Sequence, residues 1–108
     1  MHKAVKDDLI ARIKHHAEQW NVGDPLDPET RLGALVSEAH FNKVSGYIDQ
    51  ADKIVIGGTA KDGFVDATVV EVPGNDAVLA QEEIFGPVLS VIEVNGFDEA
   101  IQIANDTD

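Results

Sequence analysis

No cysteine occurs anywhere in the chain. That excludes disulfides, thiolate metal ligands and a cysteine nucleophile within these residues. Aromatic residues are also few, with one Trp, one Tyr and four Phe, so a core has to be built from Val, Ile, Leu and Ala. An apolar fraction of 44% supplies one and excludes a disordered composition. Positive charge is scarce: 8 basic against 20 acidic side chains give a formal net charge of -12. That balance repels phosphate backbones and anionic headgroups, so nucleic acid and membrane partners are not expected. No run approaches the roughly 20 apolar residues of a membrane helix. The first residues lack a signal-peptide apolar segment, from which a cytoplasmic setting is expected. A chain of 108 residues makes one domain, burying roughly two thirds of its unfolded surface.

Helical and strand patterns alternate along the chain. Val5, Leu9, Ile13 and Ala17 recur every four residues, with Ile10 and Trp20 beside them, and predict an amphipathic helix over about residues 3–20. Gly23, Pro25 and Pro28 end it in a loop. Ser37 is placed to cap a second helix whose face is Val44, Tyr47, Ile48 and Ala51. Ile54-Val55-Ile56 before Gly57-Gly58 predicts a strand, residues 64–72 a longer one, and Pro73-Gly74-Asn75 a turn. The apolar run over 88–94 suits a strand covered on both faces, and 98–104 a helix capped by Asp98. The expected fold is α/β and layered, with helices packed on a mainly parallel sheet. The chain reads as a piece of something longer.

His15 and His16 point about 100° apart on a helix and cannot share a metal, and His2 and His40 lack partners at ligand spacing. Asp24, Asp27 and Glu29 lack the glycine and terminal Glu of a calcium loop. No metal is expected. Gly57-Gly58 is followed by no phosphate-loop lysine, and Ser37, Ser45 and Ser90 sit in no nucleophile motif. The most informative stretch is Gln81-Glu82-Glu83-Ile84-Phe85-Gly86-Pro87, directly before an apolar run. Adjacent carboxylates diverge, so one functional carboxylate is expected rather than an acid–base pair. If Glu83 faces a cleft, it can accept hydrogen bonds from a vicinal diol such as a ribose while Phe85 offers a face to a planar ring. The competing reading is a solvated acidic loop with Phe85 in the core.

Glu82-Glu83-Ile84-Phe85-Gly86-Pro87 resembles the signature of the NAD(P)-dependent aldehyde dehydrogenases. Gly33-Ala34-Leu35-Val36, the stretch over 41–48, Gly57-Gly58, Gly63-Phe64-Val65 and the stretch over 100–107 resemble the same family in order and spacing. The resemblance implies that Glu83 binds the hydroxyls of the nicotinamide ribose of NAD or NADP, that Phe85 packs by the nicotinamide ring, and that Lys43 lies near the cofactor. His40 stands where many relatives have glutamine. Ala67 replaces the usual proline before the threonine, a change expected to alter backbone stiffness rather than chemistry.

In that family a cysteine thiolate attacks the aldehyde, hydride passes to the nicotinamide, and a glutamate helps water hydrolyse the thioester. Residues 1–108 contain neither the cysteine segment nor the dinucleotide-binding domain. The resemblance therefore implies a single partial catalytic domain, following the nucleophile, of a homo-oligomeric enzyme that oxidises an aldehyde to a carboxylic acid. No catalytic residue is assigned here, and the segment alone is expected to be inactive. The loop over 23–28 is similar to members acting on amino-aldehydes of polyamine or betaine chemistry. The alternatives are a non-catalytic module that associates through apolar surface and, from charge alone, an acidic protein binding a cationic ligand.

Overall fold

The computed structural model describes residues 1–106, so Thr107 of the family-like stretch lies outside the described residues. A short 3-10 turn at Lys3–Val5 leads into α1 (Lys6–Ala17), followed by a long loop and α2 (Glu38–Asp49). Then come β1 (Lys53–Ile56), β2 (Ala60–Lys61), β3 (Phe64–Val65), β4 (Thr68–Val72), α3 (Val78–Gln81), β5 (Val88–Ile92) and α4 (Phe97–Asn105). The main sheet has three strands in the order β1-β4-β5. β4 is parallel to β5 and antiparallel to β1, so the expected sheet is present and partly parallel. β2 and β3 form a separate antiparallel hairpin.

β4 separates two apolar layers because alternate residues of a strand face opposite ways. Val70 and Val72 join Val44, Tyr47 and Ile48 of α2, with Val65, Leu79 and Ile84, in one core cluster. Val69 joins Ile56 and Val91 on the other face, where Ile10, Ile13 and Ala17 of α1 pack. The helix face expected from the sequence is thus the buried face of α2, and the Ser37 hydroxyl accepts from the His40 N–H at 3.2 Å as its cap. Asp24 and Asp27 take up backbone N–H groups of Leu26 and Glu29 at 2.9 Å, which explains the acids of that loop as turn formers.

Two expectations are corrected. The strand over 64–72 is broken at Asp66 and Ala67. The buried Thr68 hydroxyl donates to the Asp66 carbonyl at 2.8 Å and accepts from the Gly58 N–H at 3.0 Å, pinning the chain where it changes partners. A Cβ on Gly57, at φ +68, would lie 2.3 Å from the Ala67 carbonyl oxygen, so this crossing requires glycine. The second correction concerns α4, whose N-cap is Gly96 rather than Asp98. The Glu99 carboxylate reaches back to accept from the Asn95 N–H at 2.6 Å, tying the residue before the N-cap to the first turn.

The α1 side is fastened to the sheet by charge. Glu71 of β4 pairs with Lys53 at 2.6 Å and with Lys6 at the start of α1, and Lys6 also reaches Glu93 at 2.9 Å. Lys53 and then Lys6 hold the Glu71 carboxyl below its usual value of 4.5. A depressed folded-state pKa adds stability above the ordinary carboxylate range, and that stability is lost as pH falls through the depressed value. Thermal melts should therefore show stability falling on acidification below about pH 4.5, with a shallower fall in Glu71→Gln. Identical pH profiles would show that this cluster does not fasten α1.

Candidate functional site

The acidic signature is the connection from α3 to β5. Its conformation follows from a buried anchor at each stage. Leu79 of α3 is buried, and its carbonyl accepts from the Ser90 hydroxyl at 2.6 Å, tying α3 to β5. Ile84 is buried in the α2-side core, whereas Glu82, Glu83 and Phe85 around it are exposed. The Pro87 carbonyl accepts from the Thr68 N–H at 2.8 Å and opens the β4–β5 ladder.

Gly86 lies directly on α2. A Cβ at this position would come within 2.8 and 2.9 Å of the two Val44 methyl groups, and Val44 is fully buried. Phe85 before it adopts φ 54. A non-glycine residue in that left-handed region costs on the order of 1–3 kcal/mol and persists only where its surroundings fix it. Phe85 is 73% exposed, so it is not a core residue and the core reading of this side chain is overturned.

One face of α2 supplies the fixing contacts. His40 Nε2 lies 2.7 Å from the Phe85 carbonyl oxygen, and since a carbonyl only accepts, Nε2 carries the proton. The Lys43 ammonium donates to the Glu83 carbonyl at 3.2 Å and sits 5.6 Å from the centre of the Tyr47 ring. Tyr47 donates its hydroxyl to the Glu82 carboxylate. That hydrogen bond, then desolvation, raises the Tyr47 pKa above its usual 10.0, so the donor keeps its proton through neutral pH.

The two neighbouring carboxylates are thereby distinguished. Glu82 is held against α2 by Tyr47. Among the described residues, no hydrogen bond or ion pair takes up the Glu83 carboxylate, which is exposed with the Phe85 ring two residues on. The structure brings Lys43 to the Glu83 backbone and places all three sequence-derived candidates on one connection and the helix beneath it. Sequence reading missed Tyr47 as a polar partner, because its place on the apolar face of α2 marks it as core, which it also is. It left the role of His40 open. On the far side of Pro87 a cavity of about 540 Å³, lined by Leu9, Ile13, Trp20 and Leu89 among others, separates α1 from the start of β5. Among the described residues no group of three or more His, Asp or Glu side chains gathers as a metal site.

An exposed carboxylate and an exposed aromatic residue thus stand two positions apart on a connection packed against α2, with the Lys43 ammonium of α2 bonded to its backbone. Comparison with known proteins gives the family of the chain. The aldehyde dehydrogenase family model matches residues 1–108, and the chain belongs to that family. It is 48% identical to the aminoacetaldehyde dehydrogenase of Pseudomonas aeruginosa over 112 residues, covering 99% of this chain and 23% of that enzyme. The fold superposes on the gamma-glutamyl-gamma-aminobutyraldehyde dehydrogenase of Burkholderia cenocepacia J2315 with a TM-score of 0.91 at 41% identity, covering 98% of this chain and 23% of that one. It also superposes on a 1-pyrroline-5-carboxylate dehydrogenase from Thermus with bound NAD, with a TM-score of 0.88 at 38% identity, over 98% of this chain and 22% of that one. The chain thus spans about a quarter of the length of the relatives it matches.

The contact of Gly86 with Val44 gives a direct test. Gly86→Ala should destabilise the chain by about 1–3 kcal/mol, the usual cost of overfilling a packed site, as measured by urea denaturation. An unchanged midpoint would show that the connection does not rest on Val44.

Proposed function

We propose that this segment supplies the nicotinamide-ribose contacts of an NAD(P)-dependent aldehyde dehydrogenase whose whole chain oxidises an aldehyde to a carboxylic acid. The observation that carries the reading is the exposed, unengaged Glu83 carboxylate beside the displayed Phe85 ring, in a chain whose family membership is shown. In this reading Glu83 accepts hydrogen bonds from the ribose diol, and Phe85 packs against the nicotinamide ring. Lys43 adds positive charge near an anionic cofactor in an otherwise acidic chain. When bound, the cofactor accepts the hydride that leaves the substrate carbon. The task of residues 82–87 is to orient and bind, and the thiolate that attacks the aldehyde comes from elsewhere in the parent polypeptide.

An amino-aldehyde is the substrate class we propose, supported by the activities named for the Pseudomonas and Burkholderia relatives. The apolar cavity beside Pro87 and the exposed Trp20, Phe97 and Ile101 support a segment that packs against further parts of a longer, homo-oligomeric enzyme. In a full-length enzyme carrying these residues, Glu83→Gln should raise KM for the dinucleotide roughly 10- to 100-fold, as expected for a weakened hydrogen bond to a charged group worth roughly 1.5–3 kcal/mol. KM for the aldehyde should change little. Unchanged dinucleotide kinetics would remove Glu83 from the cofactor site.

A further inference from the structure

The side of α2 that meets the connection carries more than packing. His40, Lys43 and Tyr47 lie at relative positions 0, +3 and +7 along one helix, a spacing that puts them on one side. Each ends on a different point of the same connection: His40 on the Phe85 carbonyl, Lys43 on the Glu83 carbonyl, Tyr47 on the Glu82 carboxylate. Val44, between them, presses on Gly86. A connection gripped at Glu82, Glu83, Phe85 and Gly86 in succession has little freedom to choose its own shape.

We infer that His40 and Tyr47 are positioning residues that preset residues 82–86 in a ligand-ready shape and decide which of the two glutamates faces the ligand. The inference rests on the cofactor reading above for the identity of the ligand, and on geometry alone for the presetting. Tyr47 draws Glu82 down onto α2, so that Glu83 is the carboxylate left outward. The His40 N–H secures the Phe85 carbonyl, which steadies a residue held in a backbone region that a non-glycine residue seldom adopts. Neither side chain has to touch the ligand. Loss of either grip lets the connection sample shapes in which Glu83 and Phe85 are not displayed together, and affinity falls with the fraction of time spent in the competent shape.

The test uses the whole chain and three variants: Tyr47→Phe, which keeps the buried ring and removes only the donor, His40→Ala, and His40→Gln, whose amide can donate to the same carbonyl. Backbone nitrogen relaxation gives order parameters for residues 83–86, followed by titration of each protein with NAD. In the parent sequence these residues should show values near 0.85, as for a rigid backbone, falling toward about 0.6 in Tyr47→Phe and His40→Ala and recovering in His40→Gln. If the competent shape drops to roughly a tenth of the population, the NAD dissociation constant should rise about tenfold in the loosened variants. Order parameters unchanged in Tyr47→Phe and His40→Ala overturn the inference, even if NAD binds at Glu83. Loosening that His40→Gln repairs upholds the presetting whether or not this chain binds NAD, and the cofactor reading is decided separately by the dinucleotide kinetics of Glu83→Gln in a full-length enzyme. Should Tyr47→Phe not fold, the two variants at the half-buried His40 decide the matter by the same readout.

Discussion

The closeness of Gly86 to Val44 governs the geometry of the candidate site. With no side chain at residue 86, the backbone of the connection can lie against the methyl groups of a fully buried valine. That approach brings the carbonyls of Glu83 and Phe85 within reach of Lys43 and His40, and the Glu82 carboxylate within reach of Tyr47. Pro87 then delivers the chain into β5 in register with β4, Thr68 opposite Val88. A side chain at residue 86 would push the connection away from α2 and loosen all of these contacts together. The site therefore follows from core packing, with its polar contacts layered over an apolar one.

The same hierarchy explains why an acidic loop can hold a strained phenylalanine in the open. Exposed ion pairs contribute little on their own. Phe85 at φ 54 is kept there by the buried Ile84 before it, the close-packed Gly86 after it and the His40 hydrogen bond across from it. Strain of this kind at a surface residue points to use of the side chain outside the fold's own packing. The neighbouring carboxylates are chemically alike, and what separates them is one tyrosine hydroxyl.

Much of this organisation was legible in the sequence, for identifiable physical reasons. The Ser37 cap and the Val44, Tyr47, Ile48 face depend on local spacing, and both stand in the structure. The acidic signature and its apolar continuation were legible because glycine, proline and β-branched runs mark chain direction. What could not be read depends on contacts between distant residues. The break at Asp66 and Ala67 is set by a Thr68 hydroxyl bonded to Gly58, and the outward choice of Glu83 by a tyrosine 35 residues away from Glu82. The antiparallel pairing of β1 is likewise a tertiary choice that periodicity does not encode. One local signal was present and unused: Asp62-Gly63, with φ 54 and 88, forms the two-residue turn of the β2–β3 hairpin.

In the proposed function, a connection shaped by core packing displays one carboxylate and one aromatic ring to a nicotinamide dinucleotide. This display is tested most directly by recording the amide NMR spectrum of this chain alone and during titration with NAD. A dispersed spectrum is expected, with shifts confined to Lys43, residues 82–86 and their immediate neighbours. Shifts that gather instead around Leu9, Trp20 and Leu89 at the apolar cavity would place the dinucleotide elsewhere and overturn the assignment.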